Sequence, residues 1–222
     1  MILPGLDWVT LVLLAAIALG SSLAWRNPWL FDRWAFDVAA LRRRQGRDRL
    51  LTSGLVHTGV FHLLFNLLTL WSFGPILYRG LGPLRYALLF LGSLLCGSAL
   101  SWAVHRRDPS YRAVGASGAI SGVLLGVTAL HPHIGFSIFL LPLFIPAWIF
   151  SVVFTVLSLF GLKLGLGNIG HDAHLGGAFF GALFTLSVRP DLFRENFIYL
   201  SPVVLLCLGF LVILKRDPRA FS

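Results

Sequence analysis

Apolar residues in this chain fall in long runs, and the polar residues gather between them. A helix needs about 20 predominantly apolar residues to cross a bilayer, and reading for such runs gives seven spans. They cover roughly 8–25, 56–77, 84–104, 115–130, 145–162, 171–188 and 198–214. Prolines place the fifth: the apolar stretch 134–162 is too long for one straight helix, and Pro142 and Pro146 break it. Between the first two spans, Arg26 to Ser53 is polar yet holds Trp29, Phe31, Trp34 and Phe36, a mixture that predicts a segment lying in the membrane interface. No internal repeat or low-complexity linker is visible. The pattern predicts one all-α polytopic membrane domain over 1–222, with a six-helix core at about 8–188 and an extra C-terminal helix at about 198–214.

Composition agrees. The 222 residues are 57% hydrophobic and 12% charged, against about 45–50% and about 25% in soluble domains, which excludes a water-soluble domain. The abundance of Leu, Ile, Val and Phe excludes disorder. No Lys or Arg precedes the first apolar run, which is long enough to cross, so it reads as a span and not as a signal peptide. Cys96 and Cys207 lie inside apolar runs without metal-ligand spacing and read as buried free thiols.

The formal net charge is +9, from 18 Lys and Arg against nine acids. Most basic residues lie in short stretches between spans, which favours membrane-interface anchoring over nucleic-acid binding. With seven spans, the first, third and fifth loops and the C-terminus share one side and hold 14 of the 18 cations. Charge alone would make that side cytoplasmic.

Polar residues at membrane depth are costly and point to function or to paired structural roles. Three groups stand out. His57, His62 and Asn66 occur at span two, with His62 and Asn66 one turn apart on one face. Gly115-Ala116-Ser117-Gly118 opens span four, and Gly118, Gly122 and Gly126 form a stripe along it. His171-Asp172-Ala173-His174 opens span six, where His174, Gly177 and Gly181 share a face. Stripes of small residues let membrane helices approach backbone to backbone. If spans four and six pack through theirs, Ser117 and His174 meet as nucleophile and base.

These motifs resemble those of the rhomboid intramembrane serine proteases, of the bacterial type, over about Arg49 to Gly181. The family's HxxxN matches His62 and Asn66, with His57 as its upstream histidine. Its GxSG matches Gly115 to Gly118, and its AHxxGxxxG matches Ala173 to Gly181. The resemblance implies a rhomboid-like six-helix core and a Ser117–His174 dyad that cleaves transmembrane protein substrates in a bacterial plasma membrane, with no cofactor and no metal.

Oxyanion stabilisation is expected from His62, Asn66 and the backbone around Gly115 and Ser117. His57 is expected to be structural, Asp172 to be a solvated residue at a helix start, and 146–170 to act as a lid. Two positions depart from the family pattern. Asp48 precedes Arg49 where a Trp is common, and Ser121 stands where many members place an aromatic against the catalytic histidine. The resemblance also implies an outward-facing site, opposite to the charge count.

Two other readings compete. One is an inactive rhomboid-like protein that holds membrane clients. The other is a metal or proton-pathway protein built on His57, His62, His171 and His174; the absence of HExxH spacing weighs against zinc proteolysis.

Overall fold

Asp7 opens the first helix of the computed structural model, which describes residues 5, 7–137, 144–165 and 169–217. Its carboxylate accepts the Thr10 N–H at 2.9 Å, satisfying one of the donors that a helix start leaves unpaired. Helix α1 (Trp8–Arg26) then runs to the first loop. That loop is built from short elements: α2 (Pro28–Trp34), strand β1 (Phe36–Asp37), α3 (Val38–Arg42) and α4 (Arg49–Thr52). Asn27 and Asp37 cap α2 and α3 through their side-chain oxygens, and Pro28 sits at the helix start, where its missing N–H costs nothing. The remaining helices are α5 (Val60–Leu81), α6 (Pro83–His105), α7 (Ser117–Leu130), α8 (Ala147–Leu164), α9 (His171–Val188) and α10 (Phe193–Arg216). Strand β2 (Arg112–Ala113) precedes α7, and a hairpin of β3 (Gly135–Ser137) and β4 (Phe144–Pro146) precedes α8.

Each of the seven expected spans is met by a helix. Five of them, α1, α5, α6, α8 and the segment containing α10, are long and apolar enough to cross a membrane. The C-terminal helix starts earlier than its apolar run implied, at Phe193. The chain is a polytopic membrane protein.

Helix α7 is at the centre, and every residue from Gly118 to Leu130 is buried. Its 14 residues span about 21 Å at 1.5 Å each, short of a hydrocarbon core of about 30 Å. It packs chiefly against α9 and α6. The α7–α9 seam is backbone on backbone: a Cβ at Gly177 would run into the Gly118 carbonyl, and one at Gly181 into that of Gly122. Helix α8 is fastened near its start, where Ser151 Oγ meets Thr128 Oγ1 of α7 at 2.9 Å. There, too, Trp148 lies against Tyr199 of α10. The Asn196 amide of α10 donates to the Ala129 carbonyl at 2.9 Å, tying that helix to the end of α7.

The first loop closes over the end of the bundle at which α7 begins. Strands β1 and β2 pair antiparallel, Phe36 with Ala113, joining the first loop to the segment that leads into α7. Arg49 Nη1 donates to the carbonyls of Asp32 and Ala35 at 2.6 and 2.7 Å, and Asp48 pairs with Arg33 at 2.8 Å. The Arg33 hydrogen bond holds the Asp48 carboxyl below the usual carboxylate range. Arg112 faces Asp32 and Asp37. Asp48 thus serves the loop as a partner for Arg33.

Bonds from a charged donor contribute about 1.5–3 kcal/mol each when shielded from water, and Arg49 is partly shielded. Arg49→Ala is therefore expected to raise local opening of the first loop about tenfold. Limited trypsin digestion at Arg42–Arg47 would read this as faster cutting, while an unchanged rate would show that the loop is held by other contacts.

Candidate active site

Gly115 adopts a φ of +128°, a conformation that side-chain-bearing residues rarely take, and so turns the chain sharply into α7. A Cβ there would meet His62 Nε2 at 2.9 Å, so the missing side chain leaves room for that imidazole above the turn. Ser117 is the first residue of α7, and His174 lies one turn into α9. The glycine seam draws the two helices together, and Ser117 Oγ lies 2.7 Å from His174 Nε2. That is hydrogen-bond distance between a hydroxyl and an imidazole.

His57 is fully buried, and both its ring nitrogens are engaged. Nε2 accepts the Ala116 N–H at 3.2 Å, which fixes the tautomer, so Nδ1–H faces Ser21 Oγ at 3.0 Å. Ser21 in turn donates to the Leu55 carbonyl. His57 thus braces the residue beside Ser117 against α1.

His62 has Thr58 Oγ1 at 3.2 Å from Nδ1, leaving Nε2 at the Gly115 turn. Asn66 donates one amide N–H to the His62 carbonyl at 2.7 Å, and its buried Oδ1 has no hydrogen-bond partner among the described residues. The Gly115 N–H is spent on the Ser53 carbonyl at 2.9 Å and the Ala116 N–H on His57, so neither is available to an oxyanion. The backbone donors left without an intrahelical acceptor begin at Ser117 itself. What Gly115 brings to the site is space and a turn.

Two residues lie where sequence patterning did not put them. Phe154 of α8 packs over His174 with ring centroids 5.6 Å apart, occupying the role that an aromatic at position 121 would fill. Ser121 instead bonds back to the Ser117 carbonyl at 2.7 Å. Phe154 gave no signal because one aromatic in an apolar run reads as lipid-facing. Asp172 is buried and not solvated, with 1% of its surface exposed, and its carboxylate meets Tyr111 and His105, not His174. The same shielding and the adjacent carboxylate push the Tyr111 phenol well above its usual range.

His171 fills the space in front of Gly161 on α8. The stretch 146–170 expected to act as a lid includes α8 and, at 166–168, residues outside those described. A cavity of about 40 Å³ adjoins Ser117, bordered also by Ser98, Ser101, Gly115 and Gly118. A cavity of about 1250 Å³ lies at the opposite end of the bundle, around Arg79, His131 and Asn196, and takes no part in this site.

Fold and site define a class: a membrane-embedded helical bundle with a serine and a histidine in contact at the mouths of two glycine-packed helices. A family model described as the rhomboid domain matches residues 45–191, and the chain belongs to the rhomboid family. It is 33% identical over 138 residues to Rhomboid protein 1, mitochondrial, of Saccharomyces cerevisiae, covering 61% of this chain and 40% of that protein. It is 30% identical over 168 residues to Rhomboid protease GluP of Bacillus subtilis, covering 73% and 31%. It is 33% identical over 152 residues to the mitochondrial presenilin-associated rhomboid-like protein of Bos taurus, covering 66% and 39%. The chain thus spans between 31% and 40% of the length of these three relatives. They include mitochondrial proteins as well as a bacterial one, so the similarity marks the family and not its bacterial type.

Proposed function

We propose that this chain is an intramembrane serine endopeptidase that cleaves transmembrane protein substrates with a Ser117–His174 dyad. The observation that carries this reading is the 2.7 Å contact between Ser117 Oγ and His174 Nε2 at the mouth of an apolar bundle. Neutral His174 takes the Ser117 proton as Oγ attacks the scissile carbonyl. It then protonates the leaving amine, and water hydrolyses the acyl-enzyme. The small cavity bordered by Ser98 and Ser101 has room for such water, since one molecule needs about 10–15 Å³. Phe154 packs on the imidazole although position 121 is a serine, which favours this reading over client binding without cleavage.

The developing oxyanion is met by His62 Nε2, the free N–H of the Asn66 amide and the Ser117 backbone N–H. His62→Ala is expected to lower kcat by about 10²-fold with little change in KM, as for loss of one oxyanion donor. A kcat within twofold of wild type would remove His62 from that role.

The proposal is tested by treating the purified, folded protein with a fluorophosphonate probe and mapping the adduct. A covalent adduct on Ser117 supports it. A folded protein that takes no label would favour the client-binding reading.

The enzyme sits in a bacterial plasma membrane with this mouth outward. Cysteines placed at 42–47 are expected to react with impermeant reagents in intact cells. Protection there, with reactivity only after lysis, would reverse the orientation.

A further inference from the structure

Asp172 is a buried carboxylate that the dyad does not use. Burying a charge without partners costs several kcal/mol, so the groups around it define its purpose. Its Oδ1 accepts the Tyr111 hydroxyl at 3.3 Å, and its Oδ2 lies 3.5 Å from His105 Nε2. The His105 and Tyr111 rings are stacked with centroids 3.6 Å apart and planes 7° from parallel, which closes the triangle.

The three corners stand on different segments. His105 is the last residue of α6, Tyr111 lies in the loop that leads to the nucleophile, and Asp172 is in the first turn of α9. Tyr111 is itself anchored: its carbonyl accepts the Val38 N–H at 3.2 Å, and its ring meets Phe36 edge-on. Ser117 follows Tyr111 by six residues, and His174 follows Asp172 by two.

The glycine seam fixes how closely α7 and α9 approach. Its tightest contacts, at Gly177 and Gly181, lie about one and two turns beyond His174, and at the mouth Ala173 lies against Gly118 and Gly97. Gly170, the residue before α9, provides no side-chain cap among the described residues, and uncapped helix starts fray. The triangle adds a second tie between the two catalytic segments at that end.

We propose that Asp172, Tyr111 and His105 form a clasp that sets the spacing of Ser117 and His174, making them positioning residues for the proposed proteolysis. The inference rests on that reading of the dyad. Stacking keeps the Tyr111 hydroxyl aimed at Oδ1 of the carboxylate, and His105 Nε2 stands 3.5 Å from Oδ2, which makes no hydrogen bond among the described residues. Loosening the clasp lets the start of α9 drift, and a misplacement of about 1 Å can cost about 10²-fold in rate.

The test uses the full chain and four variants: Tyr111→Phe, Asp172→Asn, His105→Ala and His105→Gln. Three measurements are made on each: kcat and KM on a transmembrane peptide, the rate of Ser117 labelling, and hydrogen exchange by mass spectrometry. Tyr111→Phe keeps the stack and removes only the hydroxyl. It is expected to lower kcat and labelling about tenfold, with KM unchanged. Asp172→Asn is expected to lower them by a similar factor, and the double variant to lose little more than either single, because both break one contact. His105→Gln, which retains a donor, is expected to recover part of what His105→Ala loses.

Exchange should quicken in 111–117 and 171–175 of the variants and remain unchanged elsewhere. Unchanged kcat and unchanged exchange in Tyr111→Phe and Asp172→Asn would overturn the clasp, as would a fall in Tm alone. Exchange does not depend on turnover. If the wild type is folded yet neither cleaves nor labels, the proposed function fails, while exchange still decides whether the clasp joins the two segments.

Discussion

Ser117→Ala is expected to lower hydrolysis by at least about 10³-fold without disturbing the fold. The hydroxyl is the reacting atom in the proposed chemistry, and its side-chain hydrogen bond is to His174. Its loss therefore removes one half-buried hydrogen bond, which contributes about 0.5–1.5 kcal/mol to stability. His174→Ala should cost nearly as much activity, and the double variant no more than either single, because nucleophile and base act as a unit. The measurement is initial-rate cleavage of a transmembrane substrate in detergent, paired with a thermal melt. Residual activity above a few per cent in Ser117→Ala, with Tm unchanged, would mean that another group attacks the substrate.

Gly177→Val carries the largest expected effect on the scaffold. Overpacking a core side chain typically costs about 1–3 kcal/mol because neighbours can shift rotamers. Here the obstacle is the Gly118 carbonyl, and backbone in a buried helix cannot yield in that way. The helices must move apart, and the cost should exceed that range. Because Gly118 follows Ser117 and Gly177 lies one turn past His174, the same displacement separates the dyad. Loss of folded protein on gel filtration, or a fall in Tm of more than about 5 °C with loss of Ser117 labelling, is the expected result. A variant that labels at the wild-type rate would show that the seam is slack. Gly209→Ala on α10, where an added Cβ meets nothing within 4 Å among the described residues, is the matched control.

The contact between Ser117 and His174 was legible because glycine spacing says which helix faces meet, and helix geometry then fixes which polar residues coincide at their ends. Gly118, Gly122 and Gly126 on one helix and His174, Gly177 and Gly181 on another were sufficient for that. Other features depend on where a loop folds back, and spacing carries no such information. Asp172 reads as solvated from its place at a helix start; only the return of Tyr111 and His105 over it makes it buried. Gly115 sits in the motif, yet its N–H is taken by Ser53, more than sixty residues earlier in the chain. Phe154 was hidden by composition, since apolar residues surround it in sequence on α8. The hairpin of β3 and β4 was hidden likewise, its residues continuing an apolar run without alternation. Helix α7 nearly fills its expected span of 115–130 and begins two residues later because Gly115 makes the turn that leads into it.

The polar fastening of α8 lies near one end, which makes that end the pivot of the helix. Ser151 and Trp148 pin its base on the side away from the dyad, while Phe154 and Gly161 meet His174 and His171 further along. From Ser151 to Leu164 the arm is about 20 Å long at 1.5 Å per residue, so a tilt of about 10° at the base would swing the tip by about 3 Å. Phe154, only one turn from the pivot, would move by less than about 1 Å. Leverage along one helix thus separates two motions: the far end can shift by several ångströms while the ring against His174 stays nearly still.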